Sequence, residues 1–238
     1  EEGACMKGEG RSHGSITVIN AMPCGIGATM GVDLNTTATF EETDGRRSVT
    51  ILNDGSEDKN MARICVSRAY EYAKMDESDG WNLVTDSEIP VSRGLKSSSC
   101  ACNAIVFSVI GVDIDPVDLI RLGVDCAREA RVTVTGSFDD ACGCGLGGLV
   151  MTDNRRDEIL ARSDIGDYDV VIHVPEFKIK KTGLPLDRLH EVGALGAGMS
   201  GSGPAVAIVV AKGDGESFAK DLGIVPEELI LTRTRCGE

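Results

Sequence analysis

The spacing of apolar residues divides the first third of the chain into strand-like and helix-like regions. Residues 14–40, 47–53 and 80–88 alternate apolar with small or polar residues, as strands do. Residues 60–75 instead place apolar side chains along one helical face, which predicts an amphipathic helix. Glycines interrupt the first strand region, and we expect a flexible crossing at residues 23–31. This part of the chain therefore predicts strands with one helix among them.

The pattern then continues with helices before it returns to strands. Helices are predicted from about residue 98 to Gly111 and from Asp115 to about residue 130. The shorter elements predicted after them are strands at residues 131–135, 168–175, 207–211 and 229–235 and a helix at residues 216–222. Because strands and helices do not alternate regularly, the pattern favours an α+β fold over a doubly wound parallel sheet.

A glycine and three serines stand directly before the first of these apolar helices, in the sequence PVSRGLKSSSCACNA at residues 90–104. Pro90 and Gly94 keep the preceding segment out of the helix. The first turn of a helix has N–H groups without helical partners, so it can hold phosphate oxygens. The spacing is not that of the Walker loop GxxxxGK[ST]. On this stretch alone, a phosphate loop and an ordinary serine-capped helix are about equally good interpretations.

Two further glycine-rich stretches carry candidate chemistry. Residues 136–148 hold Asp139 and Asp140 beside glycines, directly after a predicted strand. These carboxylates either form an ordinary solvated turn or face a substrate, where one of them accepts the proton of an attacking hydroxyl. Residues 193–206, GALGAGMSGSGPAV, form a predicted loop whose glycines allow a ligand to approach the backbone closely.

The charge balance limits the class of partner. Twenty-four basic against 38 acidic residues give a net charge of −14, which argues against nucleic acid or an anionic membrane as the main partner. ATP remains possible, because backbone N–H groups, Mg²⁺ and a few local cations can hold phosphates. The chain has no long apolar run and no secretory signal pattern, so we expect a soluble cytoplasmic protein. The spacing of its nine cysteines favours buried, reduced thiols over a zinc site.

Taken in order, three motifs resemble those of the GHMP kinases, the superfamily of galactokinase, homoserine kinase and mevalonate kinase. PVSRGLKSSSCACNA is similar to the second motif of that superfamily and GALGAGMSGSGPAV to the third. TGSFDDA, between them, is similar to the segment that holds the acidic catalytic residue. Within the superfamily, RSHGSITVINA near the start and GSFDDA most resemble the archaeal shikimate kinases. The resemblance covers nearly the whole chain.

This resemblance implies transfer of the ATP γ-phosphoryl group to the 3-hydroxyl of shikimate, with Mg²⁺, on the path to chorismate and aromatic amino acids. It also implies a domain like ribosomal protein S5 domain 2 at residues 1–165, a ferredoxin-like domain at residues 166–238, and a site between them. Two alternatives remain. One is another GHMP kinase, such as homoserine kinase, and the other is a non-catalytic protein of the same fold that binds small molecules.

Matching positions carry expected roles from the superfamily to this chain. Asp140 is the expected catalytic base, with Asp139 as second choice, and Ser98 and Glu129 are the expected Mg²⁺ ligands. A buried shikimate carboxylate needs a cation, for which Arg93 is the first choice. The other residues expected at the substrate are Arg11, His13 and Ser202, and those expected at ATP and its phosphates are Pro90, Arg93, Gly94, Leu95, Lys96, Ser97, Ser98, Ser99, Cys100, Gly198, Ser200 and Gly201.

The first motif departs from the superfamily pattern. Most GHMP kinases carry a basic residue there, whereas this chain has Ile26 in the sequence MPCGIG. The cation that activates the reaction must therefore come from another segment. The candidates are Lys7, Arg11, Arg93 and Lys96.

The second departure is a short connection in the C-terminal part. About 17 residues separate Pro175 from Gly193, where the superfamily has several helices. We therefore expect that a helical segment is missing from the chain near residues 192–193.

Overall fold

The protein folds as two β-sheets, in which most strand pairs are antiparallel, with helices packed against them. The computed structural model describes residues 6–53, 59–111, 114–133, 136–175, 186–223 and 225–237. For residues 186–188 it describes the backbone only. The mixed α+β architecture confirms the predicted fold class. Within the described residues, no helix is both long enough and apolar enough to cross a membrane.

The first sheet is built around one long central strand. Its six strands are β1 (Lys7–Ile19), β2 (Ile26–Glu42), β3 (Ser48–Ile51), β4 (Trp81–Ser87), β5 (Leu149–Asp153) and β6 (Glu158–Ser163). The sheet order is β3-β4-β2-β5-β6, and β1 pairs antiparallel with β2. One half of β2 pairs with β4 and the other half with β5. The long strand β2 therefore links the parts of the chain that come before and after the helices.

Four helices pack together in one core with this sheet, namely α1 (Lys59–Ala73), α2 (Ser97–Ile110), α3 (Pro116–Glu129) and α4 (Phe138–Leu146). Helix α2 is apolar on nearly all sides and lies in the core between the sheet and the other helices. Phe40 and Trp81 from the sheet pack with Tyr70 of α1 in the same core. The burial of α2 fixes the position of its first turn, where the serines lie.

The second sheet has four strands, β7 (Asp169–His173), β8 (Gly196–Met199), β9 (Val206–Val210) and β10 (Leu229–Arg233), in the order β10-β7-β9-β8. Helix α5 (Gly215–Asp221) and two 3-10 turns, Leu186–Val192 and Pro226–Glu228, complete this part. Strand β6 ends the first sheet at Ser163 and β7 begins the second at Asp169. We propose that the boundary between two domains lies in this connection, as predicted at residues 165 and 166.

A second apolar core joins the two sheets. Residues of β1 and β2, such as Ile16 and Val32, pack there with Val170 and Ile172 of β7 and with Ala207 of β9. Leu95 and Cys100, on either side of the serines, are also buried in this core. The start of α2 therefore lies where the two sheets meet.

Four details of the predicted secondary structure were wrong. Gly27 and Gly31 lie inside β2 rather than in a flexible crossing. Residues 131–133 form a turn at the end of α3 rather than a strand, and the rest of that predicted strand lies outside the described residues. The loop predicted at residues 193–206 includes strand β8. The glycine-rich turn predicted around Asp139 and Asp140 is helix α4.

Close packing explains why a glycine-rich segment forms helix α4. A Cβ atom at Gly143 would lie 2.3 Å from Thr29 Oγ1 on β2, and one at Gly145 would lie 2.6 Å from Ile120 Cδ1 on α3. Glycine therefore lets the helix approach the sheet on one side and α3 on the other. Local sequence signals favour a turn in this segment, but tertiary packing stabilises a helix.

Candidate active site

The predicted phosphate loop, residues 92–96, leads into α2 through a residue with left-handed backbone geometry. Lys96 is the N-cap residue, with φ 69° and ψ 28°, and its carbonyl accepts the first helical hydrogen bond from Cys100 N at 3.0 Å. No side chain caps this helix, whereas Asp115 caps α3 by accepting a hydrogen bond from Val117 N at 2.9 Å. Ser97, Ser98 and Ser99 form the first turn and are half-buried. This helix start is therefore suited to an external anion.

The third glycine-rich motif packs directly on this phosphate loop. Ser200 Oγ donates a hydrogen bond to the Gly94 carbonyl at 2.8 Å, and Ala205 N donates to the Arg93 carbonyl at 3.2 Å. A Cβ atom at Gly94 would lie 2.2 Å from the backbone oxygen of Ser200, and Gly94 has φ +82°. Glycine is required at this position both for the backbone conformation and for the close contact. The structure thus brings motifs two and three together.

Two residues at the end of β1 hold the same motif from the other side. Gly201 N donates to Thr17 Oγ1 at 2.9 Å, and Asn20 Nδ2 donates to the Gly201 carbonyl at 3.2 Å. Sequence analysis missed Thr17 and Asn20, because no local motif marks residues that contact a loop more than 180 positions away. They fix the Gly201 backbone beside the phosphate loop.

Asp140 faces this loop from the first turn of α4. Its Oδ1 lies 2.8 Å from Lys96 Nζ, and the two side chains are 15% and 6% exposed. Burial raises the pKa of Asp140 to about 6, while the Lys96 ammonium lowers it and the neighbouring Asp139 raises it. A carboxylate with this pKa is mostly ionised at neutral pH and can accept a proton.

Asp139 belongs to a buried polar network. Its Oδ1 accepts a hydrogen bond from Asn154 Nδ2 at 2.6 Å, and its backbone N donates to Asn154 Oδ1 at 3.0 Å. Thr29 Oγ1 donates to the Asp139 carbonyl at 2.7 Å. A Cβ atom at Gly27 would lie 2.2 Å from Asp139 Oδ2. These contacts indicate that Asp139 connects α4 to β2 and β5, and its role as an alternative base stays a prediction.

We expect Asp139→Ala to lower the free energy of unfolding by about 1–3 kcal/mol, because the buried Asn154 amide loses its acceptor. Urea denaturation followed by circular dichroism measures this change. As a control, Asp125→Ala removes a carboxylate that is 62% exposed and pairs with Arg128, and its effect should stay within about 0.5 kcal/mol. Equal stability of Asp139→Ala and the wild type would contradict the structural role.

A cavity of about 210 Å³ opens beside the start of α2. Its walls come from Ile51 at the end of β3 and Asn53 just after it, from the segment Ser87–Val91, and from Ser97 and Ala101 of α2. Pro90, which was predicted at ATP, is part of that segment. The cavity is therefore contiguous with the first turn that suits an anion.

Other predicted site residues lie elsewhere. Glu129, at the end of α3, has a half-exposed carboxylate that pairs with Arg68 of α1 at 2.8 Å, so its partner in the structure is a surface arginine. Arg11 is exposed on β1 and forms a long ion pair with Glu9 at 3.9 Å. Gly198 lies within β8, and Ser202 is exposed at the tip of its loop. Their expected roles stay predictions.

His13 and Arg93 have protein surroundings of their own. His13 is 5% exposed on β1, and its ring lies against Gly31 and Gly147. Arg93 Nη1 donates to the Pro175 carbonyl at 2.8 Å, which ties the phosphate loop to the end of β7. Arg93 belongs to the loop that adjoins the site, so it stays the predicted partner of the substrate carboxylate.

Two segments of the chain match known protein families. Residues 60–148 match the family described as GHMP kinases N terminal domain, and residues 186–225 match the family described as GHMP kinases C terminal. The homoserine kinase of Cytophaga hutchinsonii superposes with a TM-score of 0.78 at 14% identity, over 98% of this chain and 95% of that one. At this identity the similarity establishes the fold.

Curated relatives define the family more narrowly. The shikimate kinase of Pyrococcus furiosus is 41% identical over 177 residues, which cover 71% of this chain and 63% of that protein. The shikimate kinase of Halobacterium salinarum is 36% identical over 216 residues, which cover 88% of this chain and 72% of that protein. The chain thus matches less than three quarters of the length of either relative. It belongs to the archaeal shikimate kinases, a family of the GHMP kinase superfamily.

Proposed function

We propose that this protein transfers the γ-phosphoryl group of ATP to the 3-hydroxyl of shikimate. The observation that carries the proposal is the placement of Asp140, paired with Lys96, at the first turn of α2. A proton acceptor and an anion-binding helix start then face the same space, as transfer of a phosphoryl group to an alcohol requires. The curated shikimate kinases among the relatives support shikimate as the alcohol.

In the proposed reaction, Asp140 Oδ accepts the proton of the attacking hydroxyl. The hydroxyl oxygen forms a bond to the γ-phosphorus, and the bond from that phosphorus to the β,γ-bridging oxygen breaks. ADP leaves with the electron pair, and the proton remains on Asp140 until water removes it. The N–H groups at the start of α2 stabilise the charge on the phosphate oxygens.

The cavity beside α2 supports the position of the nucleotide. It lies next to Ser97 and is lined by both apolar and polar residues, including Ile51 and Asn53. A phosphate chain at the first turn of α2 would therefore place the base of ATP toward this cavity. In this proposed arrangement the cavity, with a volume of about 210 Å³, takes part of the nucleotide, and the rest lies over the phosphate loop.

The donors present suit a magnesium ion that arrives with the nucleotide. Mg²⁺ usually keeps several waters and takes one or two protein groups plus substrate phosphates. Across the described ranges, no group of three or more His, Cys, Asp or Glu side chains is placed to hold a metal. Ser98 would supply a hydroxyl ligand, and the role of Glu129 stays a prediction because it pairs with Arg68. When bound, the ion neutralises phosphate charge.

The experiment that tests the proposal offers the purified protein ATP with shikimate, homoserine or mevalonate in separate reactions. We expect ADP release with shikimate and a product whose mass is that of shikimate 3-phosphate. Release of ADP with homoserine instead would support the homoserine kinase alternative. Binding of ATP without phosphorylation of any alcohol would support the non-catalytic alternative. Either of these results would refute the shikimate kinase proposal.

A further inference from the structure

The first motif of this chain lacks a basic residue, so a cation must reach the site from elsewhere. Ile26, at the position of the missing cation, begins strand β2 and cannot carry charge. Lys7 is 64% exposed and pairs with Glu41 at 3.3 Å. Arg11 is 62% exposed, and Arg93 donates to the Pro175 carbonyl. Of the four candidates, Lys96 is the one that the structure pairs with Asp140.

Lys96 has an uncommon backbone conformation at the start of α2. Lys96 has a left-handed conformation, with φ 69°, that side chains adopt rarely and only where the surroundings require it. Its carbonyl starts the hydrogen-bond ladder of α2, and its ammonium lies at Asp140. The same residue therefore connects the helix start to the carboxylate on α4.

The third motif also lies close to the Lys96 ammonium. A Cβ atom at Gly201 would lie 2.9 Å from Lys96 Nζ. Gly201 is itself fixed by Thr17 and Asn20. The ammonium is thus held between motif three and Asp140, and the Lys96 side chain is only 6% exposed. A lysine buried this deeply at one carboxylate is positioned by the fold rather than by chance surface pairing.

We propose that Lys96 supplies the catalytic cation that the first motif lacks, with its ammonium contacting both Asp140 and the transferring phosphoryl group. This inference rests on the proposed kinase function and deepens it. The substrate proton goes to Asp140, and Lys96 takes no part in the proton transfer. Its positive charge stabilises the oxygens on which negative charge develops. The phosphate loop thus provides both the helix start and the cation.

The groups that face Asp140 come from several elements. Lys96 faces it from the phosphate loop, and Asp139 and Ser137 lie beside it at the start of α4. Ser15 on β1 donates a long hydrogen bond to the Asp140 carbonyl at 3.4 Å. Lys96 lowers the pKa of Asp140, whereas burial and Asp139 raise it. Removal of the ammonium should therefore raise this pKa and move the ionisation of Asp140 to higher pH.

The test compares Lys96→Met and Lys96→Arg with the wild type. In the wild type, kcat/KM should fall as the pH drops through about 6, because Asp140 becomes protonated there. This fall is the acid limb of the pH profile. Lys96→Met should lower kcat/KM about 10²–10³-fold and move this acid limb up by roughly one pH unit or more. Lys96→Arg keeps the charge, so its acid limb should stay near that of the wild type. Lys212→Met, which removes an exposed lysine that pairs with Asp167, should behave like the wild type.

A second measurement separates this inference from the proposed function. A ¹³C NMR titration of the Asp140 carboxyl, in the protein without substrates, should give a higher pKa in Lys96→Met than in the wild type. An unchanged pKa and an unchanged acid limb would overturn the role of Lys96, even if the wild type phosphorylates shikimate. A wild type without kinase activity would refute the proposed function, whatever the titration shows. Lys96→Gln serves in both measurements if Lys96→Met does not fold.

Discussion

Asp140→Asn is expected to lower kcat for shikimate phosphorylation about 10²–10⁴-fold, the range for loss of a general base. Asparagine has nearly the same shape and can still accept a hydrogen bond from Lys96, so the helix start should remain intact. It cannot accept the proton of the attacking hydroxyl. The Kd for ATP should therefore change little, and steady-state kinetics with equilibrium binding of ATP measures both quantities.

The control for this variant is Asp125→Asn. Asp125 lies on α3 and is 62% exposed, and its carboxylate pairs with Arg128 at 3.0 Å. Both variants remove one negative charge, so an effect of net charge alone would appear in both. A kcat of Asp140→Asn within about tenfold of the wild type would remove Asp140 from the role of base.

Gly94→Ala is expected to disrupt the contact between the phosphate loop and motif three. The new Cβ atom would lie 2.2 Å from the backbone oxygen of Ser200, at a residue with φ +82°. The Cβ atom and the Ser200 oxygen are both fixed to the backbone, so the phosphate loop and motif three must move apart. We expect a loss of about 1–3 kcal/mol in the free energy of unfolding and weaker binding of ATP by about tenfold or more.

Gly213→Ala is the matched control, because Gly213 has φ +92° and no atom within 4 Å of the added Cβ position. This variant introduces the backbone strain without the contact. It should lose less stability than Gly94→Ala and bind ATP as the wild type does, measured by isothermal titration calorimetry. Equal ATP affinity of Gly94→Ala and the wild type would show that the contact of Gly94 with Ser200 does not shape the nucleotide site.

The predicted absence of a helical segment near residues 192–193 stays a prediction. In the structure, Gly193 N and Ala194 N donate backbone hydrogen bonds to the carbonyls of His190 and Leu189 at 3.3 and 3.0 Å. The four-stranded sheet forms around this connection. The matches to 63% and 72% of the two relatives are consistent with a chain shorter than theirs.

Patterns local in sequence determined the larger elements of this protein. The apolar spacing of residues 60–75 and the serine-to-apolar transition near residue 98 predicted α1 and α2, because helix periodicity and helix starts depend on neighbouring residues. The three motifs, taken in order, predicted the GHMP kinase family. The acidic pair in TGSFDDA marked Asp139 and Asp140 as candidates.

The tertiary structure alone decided which of those residues face one another. The sequence offered four cations and two carboxylates, and packing brought Lys96 to Asp140 while Asn154 engaged Asp139. It also made a helix of the glycine-rich residues 138–146, because glycines there allow close contact with Thr29 and Ile120. Such outcomes depend on contacts between residues far apart in the chain, and no local pattern encodes which distant atoms will be neighbours.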